Sequence, residues 1–328
     1  MSAENGMQDF RRTAPPRAAS SPLPMRDGVA ASRVYLPPGP WPTVLDFLVE
    51  RFRFMAPQVL RARLNVGAIV DETGMPQRAD APYRPRQWLW YYREVPDEAA
   101  VPFELDILYR DAHLVVVDKP HFLASTPGGR YLHETALTRL RKRLDLPAIS
   151  PVHRLDRETA GVMLFCVDVA SRGAYQSLFQ QRQVVKEYEA IAPWRDDLVF
   201  PLVHRSRLQD CASSFAVQEV GGEPNSETRI EVKERLGALA HYHLTPSTGR
   251  KHQLRAHLSA LGIPICNDLF YPCLQPRHDV DDYARPLQLL ARAIEFTDPI
   301  SGEKRRFESR RVLAQARSEA STSAGTVA

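Results

Sequence analysis

Seven residues in a row, AGVMLFC from Ala160 to Cys166, are apolar or small, and the nine before them, PVHRLDRET, carry four charges and a histidine. A continuous apolar run of this length fits a strand buried within a sheet. Asp156, between Arg154 and Arg157, then sits at the lip of the core. An aspartate so placed serves either as a salt-bridged turn residue or as a carboxylate kept beside a low-dielectric cleft for chemistry. The local residues leave both readings open.

The surrounding segments say what kind of sheet this is. ILYRDAHLVVVDKP reads as strand, Asp-Ala-His turn and strand, and HETALTRLRKRLDLP as a helix ended by Pro147. ASRGAYQSLFQQRQ is helical and VVKEYEAIAP is a strand. Alternation along that strand sets Val184, Lys186, Tyr188 and Ala190 on one face, with Val185, Glu187, Glu189 and Ile191 on the other. TRIEVKERL and LAHYHLTP, joined by Gly-Ala, form a hairpin. STGRKHQLRAHLSALG predicts a helix with Ser/Thr near its start and Gly262 at its end. In it Leu254, Leu258 and Leu261 form a buried stripe, while His252, Arg255 and Ser259 share another face. Strands outnumber helices and several are hairpin-joined, which predicts an α+β fold. Its sheet is mixed and largely antiparallel with flanking helices, rather than doubly wound.

The 328 residues allow one large domain with an appendage, or two domains. Residues 1–40, rich in Pro, Ser, Ala and Arg without apolar periodicity, read as disordered, as does the tail 314–328. Residues 41–98 form a small α/β unit. In TVLDFLVERF, Val44, Leu45, Leu48, Val49 and Phe52 recur at helical spacing; APQVLRARL is a second helix, GAIVDETG a strand and turn, and QWLWYYRE a closing strand. Its Arg51, Arg53, Arg61 and Arg63 suit either an RNA grip or a solvated helix face. The main domain spans 103–313.

No run of about 18 apolar residues predicts a membrane span, and the N-terminal stretch lacks the apolar centre of a secretory signal. Four cysteines without CxxC spacing read as reduced thiols, so the expected compartment is the cytoplasm. Net charge is +4, and only six of the 43 basic residues are lysine. Arginine suits phosphate forks and stacking on bases, although genomic base composition produces the same bias. His241, His243, Cys266 and Cys273 lack the paired spacing of a zinc site, so no metal is expected.

LYRDAHLVVVDKP, HRLDRETAG, KEYEA and TGRKHQLRAHLSALGIPICND, in that order, resemble the signature segments of the RluA-type pseudouridine synthases. The resemblance spans roughly residues 103–313. It implies a mixed-sheet catalytic domain with a central cleft that isomerises uridine in structured ribosomal or transfer RNA, without cofactor or metal. On this basis Asp156 matches the catalytic aspartate and Arg255 the basic residue paired with it. Tyr188 matches the tyrosine that stacks on uracil, and Arg154 a residue that enters the RNA where the base has left. Arg157, Arg250 and His252 join the expected RNA contacts. The RLRKR run (Arg139, Arg141, Lys142, Arg143) and Arg205 with Arg207 are further phosphate contacts, or else ordinary solvated charges. Lys119 and Lys186 stay outside the expected core site, and His153 is expected to hold its turn by hydrogen bonds. Ala160 stands where the family usually has serine, LQLLARAIEF lacks a common leucine–histidine pair, and residues 41–98 only loosely resemble an S4-type module. Two other readings are a catalytically silent RNA-binding protein of this fold and a metal-dependent hydrolase. A monomer is expected.

Overall fold

The computed structural model describes residues 20–95, 98–211, 215–276 and 280–314. It divides into two compact units, 1–96 and 97–328. Residues 1–19 and 315–328, where disorder is expected, lie outside the described residues.

In the first unit β1 (Ser32–Leu36), α1 (Val44–Arg51), α2 (Pro57–Asn65), β2 (Ile69–Val70) and β3 (Gln87–Tyr91) form a three-stranded antiparallel sheet, order β1–β3–β2, with two helices. A capping box between Thr43 and Asp46 starts α1, and Pro57 occupies the first turn of α2. Val34, Leu36 and Leu89 pack with Val44, Phe47, Leu48, Leu60 and Leu64. One expectation changes here. β1 lies inside the stretch read as disordered: five residues hemmed by prolines give too short a pattern to register, yet Val34 and Leu36 are buried. QWLWYYRE is the unit's last strand, as expected, and lies at the centre of its sheet. Arg51, Arg53 and Arg61 are exposed, whereas Arg63 donates to the Tyr92 carbonyl at 2.7 Å and pairs with Glu94 at 2.9 Å.

The second unit contains β4 (Asp106–Arg110), β5 (Leu114–Lys119), α3 (Ala136–Leu144), β6 (Ser150–Pro151), β7 (Ala160–Cys166), α4 (Val169–Gln180) and β8 (Val185–Pro193). It continues with β9 (Leu202–Asp210), β10 (Val217–Val220), β11 (Ser226–Leu236), β12 (Leu239–Pro246), α5 (Gln253–Ala260), β13 (Leu289–Thr297) and β14 (Lys304–Glu308). Eleven strands make one sheet, ordered β10–β9–β11–β12–β8–β13–β7–β5–β4, with β14 on β13 and β6 on β7. Among the described residues, β13 and β7 are the only strands of this sheet that pair in parallel, so the sheet is mixed and largely antiparallel. The fold is α+β.

The apolar run is explained by what covers it. Met163 and Phe165 of β7, with Val115 and Val117 of β5, pack under Ala136, Leu137 and Leu140 of α3. Val162, Leu164 and Cys166, with Leu114 and Val116, pack against Tyr175 and Leu178 of α4. Burying each such side chain contributes roughly 1.5–3 kcal/mol, so β7 anchors the charged loop in front of it. Where β13 crosses β7, a Cβ on Gly161 (φ +116°) would lie 2.2 Å from the Ala291 carbonyl oxygen. Only glycine fits there. Ala160 beside it sits in a closed apolar cluster with Ile191 and Leu290.

Helix α3 ends at Leu144 through a left-handed Asp145, before Pro147 is reached. The unit also begins earlier than residue 103. The Glu98 carboxylate accepts the backbone N–H groups of Leu132, His133 and Glu134 at 2.7–2.8 Å.

Candidate functional site

Loop 152–159, entering β7, forms one wall of a cleft of about 840 Å³. Its backbone is fixed by side chains from the end of β5 and the segment after it. Ser125 donates to the Leu155 carbonyl at 2.6 Å and accepts the Leu155 N–H at 3.1 Å. The fully buried Lys119 ammonium donates to the carbonyls of Pro120, Leu123 and Arg157 at 3.0, 2.8 and 3.2 Å. His121 Nδ1 donates to the Glu158 carbonyl at 2.6 Å; burial pulls its pKa down to about 4, so the ring is neutral. His153 accepts the Leu164 N–H at 3.1 Å and stacks on Phe179, the turn-holding role expected of it. Burial lowers it to about 3, which leaves no proton-transfer role near neutrality.

Asp156 points from this loop into the cleft with 28 % of its side chain exposed. The opposing wall comes from β8, from 246–252 and from α5. The expected long helix is shorter than the sequence suggests: it starts at Gln253, after a left-handed His252 (φ +52°). The Gln253 amide explains the delay. It accepts from the Thr248 hydroxyl and Arg250 N–H, and donates to the Glu227 carbonyl and Thr228 hydroxyl, tying the preceding loop to β11.

Arg255 is not a surface cation offered sideways. Its side chain is 1 % exposed, and its principal partner is Asp268, itself 0 % exposed. Nε and Nη2 fork onto Asp268 at 2.8 and 2.7 Å, leaving Nη1 to reach Asp156 at 3.4 Å and Glu158 at 3.6 Å. Burial pulls the guanidinium pKa down, but Asp268, Asp156 and Glu158 outweigh it, and the net shift is upward. Asp268 also accepts the N–H groups of Phe270 and Tyr271 at 2.8 and 3.3 Å. One cation therefore joins the aspartate of the cleft to a buried anchor. The sequence offered no sign of Asp268, whose only cue is its position late in ICND.

Tyr188 lines the same cleft; burial first, then the Asp156 charge, raises its pKa, so the phenol stays protonated. Lys186 shares that strand face, donating to the Thr248 carbonyl at 2.7 Å. Burial and the nearby Arg182 lower it to about 8. Lys186 and Arg182 thus belong to the lining, although neither was among the expected site residues.

Of the expected RNA contacts, Arg154 and Arg250 are exposed on the cleft. The others are placed differently. Arg157 turns away, paired with Asp281 and lying 4.6 Å over the Tyr131 ring. His252 is buried in the wall, Nε2 3.9 Å from Asp156, and burial lowers its pKa. Arg139 donates to the carbonyls of Phe103 and Val101 at 2.6 Å, Arg143 to that of Leu105 at 2.9 Å, and Arg141 to that of Ile149 at 3.4 Å. These three hold loops to α3, Lys142 and Arg143 are exposed, and none of the four residues lines the cleft.

His204, Glu219 and His257 bring ligand atoms within 4.8 Å of one another, the one such cluster among the described residues. Both nitrogens of the buried His257 are already hydrogen-bonded, to Thr228 and Ser226 at 2.9 Å, and His204 bonds Glu219 at 2.8 Å. The cluster is satisfied as a structural network.

A long mixed sheet carries an aspartate, an arginine and a tyrosine in one cleft, and comparison supplies the family. Residues 113–260 match the family model for RNA pseudouridylate synthase. A dual-specificity RNA pseudouridine synthase RluA of Haemophilus influenzae is 33 % identical over 222 residues, 63 % of this chain and 93 % of that protein. Its Escherichia coli counterpart is 33 % identical over 62 % of this chain and 92 % of that protein. Two human structures share the fold. RNA pseudouridylate synthase domain containing 4 has TM-score 0.50 and 27 % identity, covering 63 % of this chain and 88 % of that one. RNA pseudouridylate synthase domain containing 1 has TM-score 0.53 and 24 % identity, covering 65 % and 86 %. The chain belongs to the RluA-type pseudouridine synthase family and is an isomerase acting on RNA.

Proposed function

We propose that this cleft converts a uridine of structured ribosomal or transfer RNA to pseudouridine, with Asp156 as the catalytic carboxylate. One observation carries the reading: a part-exposed aspartate ion-paired with an arginine that is itself locked on a buried acid, in a cleft that also holds Tyr188. The reaction breaks N1–C1′ and joins C5 to C1′; the C5 proton leaves to solvent and N1 gains one. Nothing is oxidised and no group leaves the RNA, so the protein must extrude the base and supply an anion at C1′ or C6. Asp156 provides that anion. Tyr188 offers a neutral ring for the extruded uracil, and Arg154 a planar cation to lie against the bases left behind. The two bacterial relatives are named dual-specificity RNA pseudouridine synthases, which supports testing more than one RNA.

RNA from cells lacking the gene, labelled with tritium at uracil C5, tests the proposal. Wild-type protein releases tritium to water and Asp156→Asn does not. Release by the variant at a wild-type rate would remove Asp156 from the chemistry.

A further inference from the structure

Among the described residues of the second unit, every aromatic ring is buried or half-buried except one. Phe215 is 66 % exposed. It stands just before β10, and its ring centroid lies 5.7 Å from that of His252 and 6.3 Å from that of Phe270. The Lys251 ammonium sits 3.7 Å from the ring centroid. Lys251 and His252 both line the cleft, so Phe215 lies beside its mouth.

The strand that follows the ring is well held. The backbone N–H and carbonyl of Val217 bond the Tyr271 hydroxyl at 2.9 and 3.0 Å, and Tyr271 N–H donates to Asp268. Asp268 holds Arg255. The exposed ring is thus tied through a short chain of buried contacts to the residue that meets Asp156. His252, Phe270 and Lys251 meet part of the ring while 66 % of the residue stays open to water, and the cations at hand, Lys251 and Arg250, select an anionic occupant.

We propose that Phe215 and Lys251 form a stacking platform for an unpaired nucleotide of the RNA loop adjoining the target uridine, Phe215 taking the base and Lys251 its phosphate. Extruding a base leaves its neighbour with an uncovered π-face, and an aromatic ring fixed at the mouth of the cleft replaces the lost partner without reading the base's identity. Lys251 leaves the ring, and its 3.4 Å contact with Asp210, when that phosphate arrives. The platform determines which loops are accepted. It rests on the cleft being the uridine site.

The test compares wild type with Phe215→Ala, Phe215→Leu and Phe215→Tyr in single-turnover tritium release from the labelled cellular RNA above, with filter binding of the same RNA. Ala and Leu are expected to raise the half-saturating concentration and the dissociation constant roughly tenfold, within the roughly 5- to 150-fold range of a lost base–aromatic stack. The maximal rate should stay within about twofold, Tyr should restore affinity, and thermal midpoints should not move, because the ring is exposed. Leu binding as tightly as Phe would overturn the platform, since apolar cover alone would then suffice; Ala binding as tightly would do the same. If wild type releases tritium and all three variants match it, the platform fails while the cleft reading stands. If wild type releases none, the cleft reading fails, and the binding measurements still decide whether Phe215 holds RNA.

Discussion

The floor and the rim of the cleft use the same side chain under opposite conditions. On the floor Arg255 is sealed from water, forked onto Asp268, with one nitrogen left for Asp156. On the rim Arg154 and Arg250 are exposed. A guanidinium of the first kind fixes geometry, because moving it would strand a buried charge. One of the second kind is free to exchange water and counterions for phosphate. The α3 arginines fall between the two: half-buried or exposed, yet bonded to backbone carbonyls, though the sequence had grouped them with the second.

The most severe way to break this contrast is to strike the floor away from the reacting atoms. Asp268→Asn keeps the shape but removes the principal, fully buried counter-charge of Arg255, and about 3–5 kcal/mol of stability should be lost in urea denaturation. Replacing both residues by apolar ones should lose less, because no buried charge remains. Lys119→Met comes next. It leaves three carbonyls without their donor, so about 1–3 kcal/mol should go, with the maximal rate falling while RNA affinity holds.

The two groups of arginines separate by salt. Arg154→Ala and Arg250→Ala should each reduce the slope of log affinity against log salt by about 0.7–0.9 without altering the thermal midpoint. Arg139→Ala and Arg143→Ala should leave the slope alone and lower the midpoint. The smallest effect belongs to Lys186. Its ammonium is charged below about pH 8 and loses its proton as pH rises through that value. RNA affinity should therefore weaken a few-fold across that window, roughly the effect of one phosphate contact, and Lys186→Met should flatten the dependence.

What the sequence disclosed follows from where the information is local. The β7 run, the Gly-Ala hairpin between β11 and β12, and the alternation placing Lys186 and Tyr188 together depend on near neighbours, and all are present in the fold. Asp156 and Arg255 were legible through the order of the signature segments. Asp268 was not, because its meaning comes from meeting a helix thirteen residues earlier after an irregular turn. The arginines of RLRKR misled for a related reason: helical periodicity gives their face, but not the carbonyls of Val101, Phe103 and Leu105 that happen to face it. Phe215 carried no pattern at all, since exposure is a property of the assembled surface.

Single-turnover rate and RNA affinity measured together for Asp156→Asn test the division between floor and rim most directly. The account predicts binding within about threefold of wild type and no detectable tritium release. A variant whose turnover falls only as far as its affinity does, reaching the wild-type rate at saturating RNA, would place Asp156 among the binding residues and contradict it.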